Sequence, residues 1–336
     1  MLGFFDKNSV WLRVSRVVIF ISMSVGFILL FRLSDKNHVN VSQRHEENVI
    51  NVGDVKNSAS FSFAILGDTQ LFGSPDSNSG FRQAIKSLAE MNFDFVMTVG
   101  DLIQGCEKRE ECMEKYEEWR NVASLVPIKI YPVVGNHDRI NEEIADEIWR
   151  GSFRLPNNGP VGYEETTYSF DFNNSHFIVL NSEKPHPHEI NTVQLEWLEK
   201  DLENTRQENT FVFFHEPAFP SNYKITQSLD YYEEDRNSLW KIIDKYDVTA
   251  VFNGHEHVHT RRAIDRSLMP ELKKSIYQFI VGNTDAYERF APKQTNNVEY
   301  RYDGQDFMVV NVEGKNIKVN LYSVEGKLVN EFKFSK

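Results

Sequence analysis

The chain has 336 residues, a formal net charge of -12, and 26% charged against 40% hydrophobic residues. That length can bury a large core, and the composition is that of a globular protein, which excludes a disordered chain. The acidic balance argues against a nucleic-acid partner, because non-specific binding of polyanions rests on lysine and arginine neutralising phosphates; an anionic substrate would need local positive charge, which bound metal cations supply.

Residues 1–16 form a short basic segment, followed by Val17 to Phe31 (VVIFISMSVGFILLF) without a charged residue. Arg13, Arg16 and Arg32 bound an apolar core shorter than the roughly 20 residues of a full span, so it crosses a bilayer only if the arginines snorkel. Residues 17–33 read as a transmembrane anchor or a signal segment, and the absence of a small-x-small cleavage pattern afterwards favours the anchor. Lys7, Arg13 and Arg16 outnumber Arg32 and Lys36, which by the positive-inside rule leaves the body of the chain outside the cytoplasm, or secreted if the segment is cleaved. Residues 34–60 are polar and aperiodic, a flexible linker. Asn40-Val41-Ser42 and Asn173-Asn174-Ser175 match the glycosylation sequon.

Residues 61–336 make one domain in which strands and helices alternate. Phe61 to Leu66 predicts a strand, and Phe81, Ile85, Leu88 and Ala89 then recur at helical spacing. Phe93 to Val99 is the next strand, Met113, Tyr116, Trp119 and Ala123 mark a helix, and Ile128 to Val134 a third strand. Tyr168 to Phe172 and His176 to Leu180 predict an antiparallel pair. Leu195, Trp197, Leu198 and Leu202 lie on a helix before the strand Phe211 to Phe214; Leu239, Ile242, Ile243 and Tyr246 lie on another before Val248 to Phe252. After Ile276 to Val281 come three further strands, Phe307 to Val312, Ile317 to Tyr322 and Leu328 to Phe334. This order predicts an α/β sandwich, sheet on sheet inside helical layers. Cys106 and Cys112 stand six apart in a charged loop and read as a small disulfide or as two free thiols.

Four clusters place metal-binding side chains directly after apolar runs: Gly67-Asp68-Thr69-Gln70, Gly100-Asp101, Gly135-Asn136-His137-Asp138 and Gly254-His255-Glu256-His257. His215 follows Phe211 to Phe214 in the same way. Ligands of open α/β sheets gather at the carboxyl ends of strands, so these groups can converge although distant in sequence. A Gly-Asp pair alone is ordinarily a turn with a capping or solvated aspartate, and a lone histidine is ordinarily a hydrogen-bonded core residue. Several of each at successive strand ends point to a metal site, and mixed oxygen and nitrogen donors without cysteine suit Mn, Fe or Zn better than Ca. His255 to His259 also fits H-E-x-x-H, a helical zinc signature of metallopeptidases, but it follows a strand and Asn253-Gly254, and nothing after it offers an apolar helical face.

The ordered set of Gly-Asp, Gly-Asp, Gly-Asn-His-Asp, a histidine after an apolar strand, and Gly-His-x-His resembles the calcineurin-like metallophosphoesterases from Phe61 to the C-terminus. The helix Gln194 to Leu202 is also similar to a segment common in that family. The resemblance implies a four-layer αββα sandwich of two mixed sheets, and two divalent ions (Mn, Fe, Zn or Mg). Asp68 and His257 would serve the first ion, Asn136, His215 and His255 the second, and Asp101 would bridge. It implies hydrolysis of a phosphate mono- or diester by a metal-bridging hydroxide, with His137 protonating the leaving oxygen and Asp138 orienting its ring. Where the family usually has Asp-x-His, this chain has Asp68-Thr69-Gln70, and a neutral amide oxygen at Gln70 would weaken the first ion or shift its identity toward Mn or Mg. The other reading is a membrane-tethered metal- or phosphate-binding protein of the same fold with little turnover; the peptidase is the third. Lys184 to His188, Asp285-Ala286-Tyr287 and Arg261 are candidates for substrate selection.

Overall fold

The structure is a computed structural model that describes residues 60–71, 79–221, 223–286 and 297–336. The apolar segment 17–33, the linker up to residue 59, the Asn40 sequon and Tyr287 lie outside the described residues. Among those described, no helix is long and apolar enough to cross a membrane.

In chain order the first elements are β1 (Ser60–Leu66), α1 (Gly80–Ala89), β2 (Phe95–Thr98), α2 (Arg109–Ala123), β3 (Ile130–Tyr131) and α3 (Glu142–Ser152). An antiparallel hairpin of β4 (Tyr168–Phe172) and β5 (Ser175–Val179) precedes α4 (Thr192–Asn204), β6 (Asn209–Phe213), α5 (Glu233–Lys245) and β7 (Ala250–Asn253). The remainder is β: β8 (His259–Ile264), β9 (Ile276–Val281), β10 (Val298–Tyr302), β11 (Asp306–Glu313), β12 (Asn316–Ser323) and β13 (Leu328–Ser335). Among the described residues one sheet has six strands, ordered β13-β12-β11-β1-β2-β3, and the other seven, ordered β10-β8-β9-β7-β6-β5-β4. β1, β2 and β3 run parallel, as do β5, β6, β7 and β9; the outer strands pair antiparallel.

The apolar runs are continuous because their strands are covered on both faces. Along β1, Phe61, Phe63 and Ile65 point into a core between the sheets, while Ala64 and Leu66 point to a second core under α1 and α2. On the other sheet Phe211 and Phe213 join the first core, and Val212 and Phe214 a third, under α4 and α5. Three cores separate four layers, helix, sheet, sheet, helix. The central one is aromatic: Phe63 stacks on Phe95 at 5.3 Å and meets Phe177 edge-on at 5.2 Å, so truncating Phe63 to alanine would cost about 3–5 kcal/mol.

Two expectations need correction, and one open alternative is decided. The third strand is only Ile130–Tyr131, because Pro132 follows and has no N–H to continue the ladder. Two further strands, β8 and β10, are present; β8 begins inside the H-E-x-x-H match, with His255 in the loop before it and His259 on the strand, so the two do not share a helical face and the zinc-peptidase geometry is not formed. Of the two readings open for the cysteines the bridge is the one formed, Cys106 to Cys112, pinning the loop after β2 to the first turn of α2.

Candidate metal centre

The carboxyl ends of β1, β2 and β3 in one sheet and of β6 and β7 in the other deliver Asp68, Asp101, Asn136, His215 and His255 to one place. Backbone bonds between neighbouring loops hold them in step: Asp68 N–H donates to the Gly100 carbonyl at 3.1 Å, and Gly254 N–H to that of His215 at 2.9 Å. The approach is tight. A Cβ on Gly135 would sit 2.3 Å from Asp101 Oδ1, so only glycine lets that loop close on the carboxylate. Asp68, Asp101 and His255 all have positive φ, 51°, 53° and 68°, a conformation non-glycine residues adopt rarely and mostly where surrounding structure imposes it.

Asp68, Asp101 and His215 are buried, with potential ligand atoms all within 4.8 Å of one another. His257 Nε2 lies 3.4 Å from Asp68 Oδ1 and His215 Nε2 lies 3.4 Å from Asp101 Oδ1. Asn136 Oδ1 sits between two rings, 3.1 Å from His215 Nε2 and 3.0 Å from His255 Nδ1. The other nitrogen of each ring is committed: His215 Nδ1 donates to the Val99 carbonyl at 2.7 Å and His255 Nε2 to that of Gln227 at 2.8 Å. Such a bond fixes which nitrogen carries the proton and aims the other at the ligand position.

The charges fit the same picture. Burial opposes protonation of His215, but the charge and hydrogen bond of Asp101 outweigh it and hold the imidazole well above its ordinary value. His255 is pushed well below its own, first by burial and then by His215. A neutral His255 with its proton on Nε2 therefore presents an electron pair at Nδ1 to the amide oxygen of Asn136. Electron pairs converging beside buried carboxylates are the arrangement a cation satisfies, and the oxygen and nitrogen donors suit a borderline divalent metal.

Gln70 is brought to the site in another way than expected. Its amide donates through Nε2 to Asp101 Oδ2 at 2.8 Å, so it clamps the shared carboxylate, and serving as a ligand would require the amide to turn over. Trp119 on α2 steadies that loop by donating from Nε1 to Thr69 Oγ1 at 2.9 Å. His137 opens a short 3-10 turn; its N–H donates to Asp101 Oδ1 at 2.8 Å, and its partly exposed ring holds Nε2 3.9 Å from Asp101 Oδ2. Asp138 does not orient that ring. Its carboxylate is buried behind the loop, accepting from the N–H groups of Gly135 at 2.9 Å and Leu102 at 3.2 Å and from the Tyr116 hydroxyl at 3.1 Å. Burial, and then the charge of Asp101, raise its pKa. It braces the turn.

Of the loop candidates, Lys184 is tied to Asp146 and the Gly162 carbonyl, Asp285 accepts from the Gly80 N–H at the start of α1, and Arg261 lies on the Phe332 ring at 3.6 Å. Those three serve structure. His188 does reach the site, and with it come residues that no motif marked: Glu216, Lys224 and Gln227 line a cavity of about 380 Å³ whose wall includes Asn136 and His255.

Residues 61–259 match the calcineurin-like phosphoesterase family, and the chain belongs to it. Over 202 residues it is 22% identical to human tartrate-resistant acid phosphatase type 5, a match covering 52% of this chain and 59% of that protein. Its fold is that of the purple acid phosphatase PPD1 from yellow lupin seeds, with a TM-score of 0.66 at 18% identity, covering 82% of this chain and 54% of the lupin one. It is also similar to a dimetal phosphatase from Danio rerio, with a TM-score of 0.59 at 13% identity over 82% and 98% of the two chains. The chain thus spans somewhat more than half the length of the human and lupin proteins.

Proposed function

We propose that the protein is a metal-dependent phosphoesterase acting on a phosphate mono- or diester. The observation that carries this reading is the convergence of Asn136 Oδ1, His215 Nε2 and His255 Nδ1 beside Asp101. Asp68 and His257 would hold one divalent ion, Asn136, His215 and His255 a second, with Asp101 shared; Mn, Fe, Zn and Mg all suit these donors. When bound, the ions supply positive charge for the phosphoryl oxygens and lower the pKa of a water. Gln70 and the His137 N–H fix both oxygens of Asp101, so the shared carboxylate does not have to reorganise during the reaction. As the water oxygen bonds to phosphorus and the ester P–O bond breaks, His137 gives a proton from Nε2 to the leaving oxygen. The ring's place at the rim, with access to solvent, lets it be reprotonated between turnovers.

Metal analysis together with hydrolysis of p-nitrophenyl phosphate and bis-p-nitrophenyl phosphate tests the reading. A protein that binds metal and cleaves neither ester would instead favour a binding role for the same fold. His137→Ala is expected to slow alkyl phosphate esters about a hundredfold, the size of a general-acid contribution, and p-nitrophenyl esters far less because their leaving group needs little protonation. Equal losses on both would remove His137 as the acid.

We also place the domain outside the cytoplasm, on the support of the Cys106–Cys112 bridge, since such bonds persist in oxidising compartments. Thiol labelling of the protein taken directly from its host reads this out, and two free thiols would count against it.

A further inference from the structure

The cavity beside Asn136 and His255 has an electrostatic character of its own. Among the described residues, Lys224 supplies its only lysine or arginine charge, in a chain with a net charge of -12. Among the described residues no carboxylate pairs with that ammonium, which lies 5.2 Å from the Tyr223 ring. The one acidic residue lining the cavity, Glu216, is buried, and both its oxygens face His188 Nδ1, at 2.8 and 2.7 Å. The imidazole hydrogen-bonds to it, and Lys224 acts on it only as a nearby charge, without a direct ion pair.

Lys224 is also held in place. The segment that carries it is tied to the His255 loop on both sides, by the Tyr223 hydroxyl donating to the His255 carbonyl at 3.5 Å and by the Gln227 carbonyl accepting from His255 Nε2 at 2.8 Å. Gln227 N–H in turn donates to the Lys224 carbonyl at 2.8 Å, closing a turn. A lysine on a braced turn, facing a small cavity that shares a wall with the metal ligands, is placed to meet an anion, not simply to solvate the surface.

We propose that Lys224 is a specificity-determining residue, and that this cavity receives a second anionic group, carboxylate or phosphoryl, carried by the substrate a few ångströms from the scissile phosphate. The inference rests on the phosphoesterase reading above and names a substrate class for it: phosphate esters that carry a second anionic group over those that do not. The chemistry is ordinary hydrolysis. Water oxygen bonds to phosphorus, the ester oxygen leaves with the electron pair and takes a proton, and the second anion stays unchanged against the ammonium.

The test uses substrates that differ by one anionic group. Glycerol 3-phosphate and 3-phosphoglycerate share a carbon chain and a primary phosphate ester, and only the latter has a carboxylate; glycerol 1,3-bisphosphate offers a phosphoryl group instead. In the metal-loaded wild type, both esters with a second anionic group are expected to have the higher kcat/KM. In Lys224→Ala that preference falls about tenfold, the size of one charge-assisted hydrogen bond, mainly through KM; in Lys224→Glu it falls further, and in Lys224→Arg it persists. A loss confined to one of the two esters with a second anionic group still supports the subsite and identifies its group. An unchanged ratio across the variants overturns the proposal, leaving Lys224 a loop residue, while the phosphoesterase reading stands. A wild type that cleaves none of these esters, nor p-nitrophenyl phosphate, overturns the reading itself and the subsite with it.

Discussion

Replacing Asn136 by leucine keeps the size of the side chain and removes the oxygen on which His215 and His255 converge. In metal-free protein that oxygen faces at least one electron pair, so its loss should cost little, and the metal-free variant is expected to unfold within a few degrees of wild type. Metal should separate the two. A ligand that binds only the native state stabilises it by RT ln(1 + [L]/Kd), about 2.7 kcal/mol at one hundred times Kd. The compact unit spans Asn57–Lys336, and at about 2.1 cal/mol/K per residue its unfolding entropy is about 0.6 kcal/mol/K. One ion should therefore raise Tm by about 4–5 °C. If the loss of one ligand weakens binding about a hundredfold, the upper end of what even an outer partner contributes, the stabilisation falls to about 0.4 kcal/mol and the rise to less than 1 °C. Scanning calorimetry with and without Mn or Zn, alongside metal counting by mass spectrometry, reads both quantities. Asn136→Leu protein that keeps its metal content and the full wild-type shift would refute the assignment of this amide to the centre.

Further expectations concern positions around the site and away from it. Gln70→Glu sets a second carboxylate within hydrogen-bond distance of Asp101 Oδ2, so the metal-free variant should melt below wild type and gain more from added metal; equal melting of the two metal-free proteins would show that Gln70 does not face Asp101. His176 is buried between Asp171 and Asp201, at 2.6 and 2.7 Å; burial disfavours its charge, but the bonds to Asp201 and then Asp171 outweigh that and raise its pKa. A raised folded-state pKa means that its stabilisation is complete below the unfolded value near 6.5 and is lost as pH climbs through the folded value. Wild type should therefore lose Tm on the alkaline side of that window relative to His176→Gln, and parallel Tm profiles would dismiss the clamp. Opening the Cys106–Cys112 loop with Cys106→Ala and Cys112→Ala should lower stability by about 2 kcal/mol, given the short loop it closes, visible as a Tm lower by about 3 °C.

Much of this centre can be read along the chain because of how parallel strands are built. A strand covered on both faces is an unbroken apolar run, and it stops abruptly where it leaves the sheet, so Asp68, Asp101, His215 and His255 stand out as polar residues set directly against such runs. β8 escaped for the opposite reason. His259-Thr260-Arg261-Arg262 looks solvated, yet Arg262 is buried with its guanidinium donating to the carbonyls of Phe219 and Pro220, and Arg261 lies flat on Phe332. α3 was missed because only Ile148 and Trp149 among its residues are buried, too few to set a period. Asp138 misled through adjacency: in a 3-10 turn successive side chains diverge by about 120°, so the residue after His137 points into the loop while His137 faces the site. Lys224 and Gln227 lie on an aperiodic loop that gives no signal at all.

What orients the two imidazoles is the least legible feature. The carbonyls of Val99 and Gln227 decide which nitrogen of His215 and of His255 faces Asn136, and a carbonyl is the one group every residue type provides. The candidate ligands are therefore chosen by side-chain identity and aimed by backbone path. It follows that substitutions bending the 223–227 turn should disturb the centre as much as some ligand changes, without altering any metal-binding side chain.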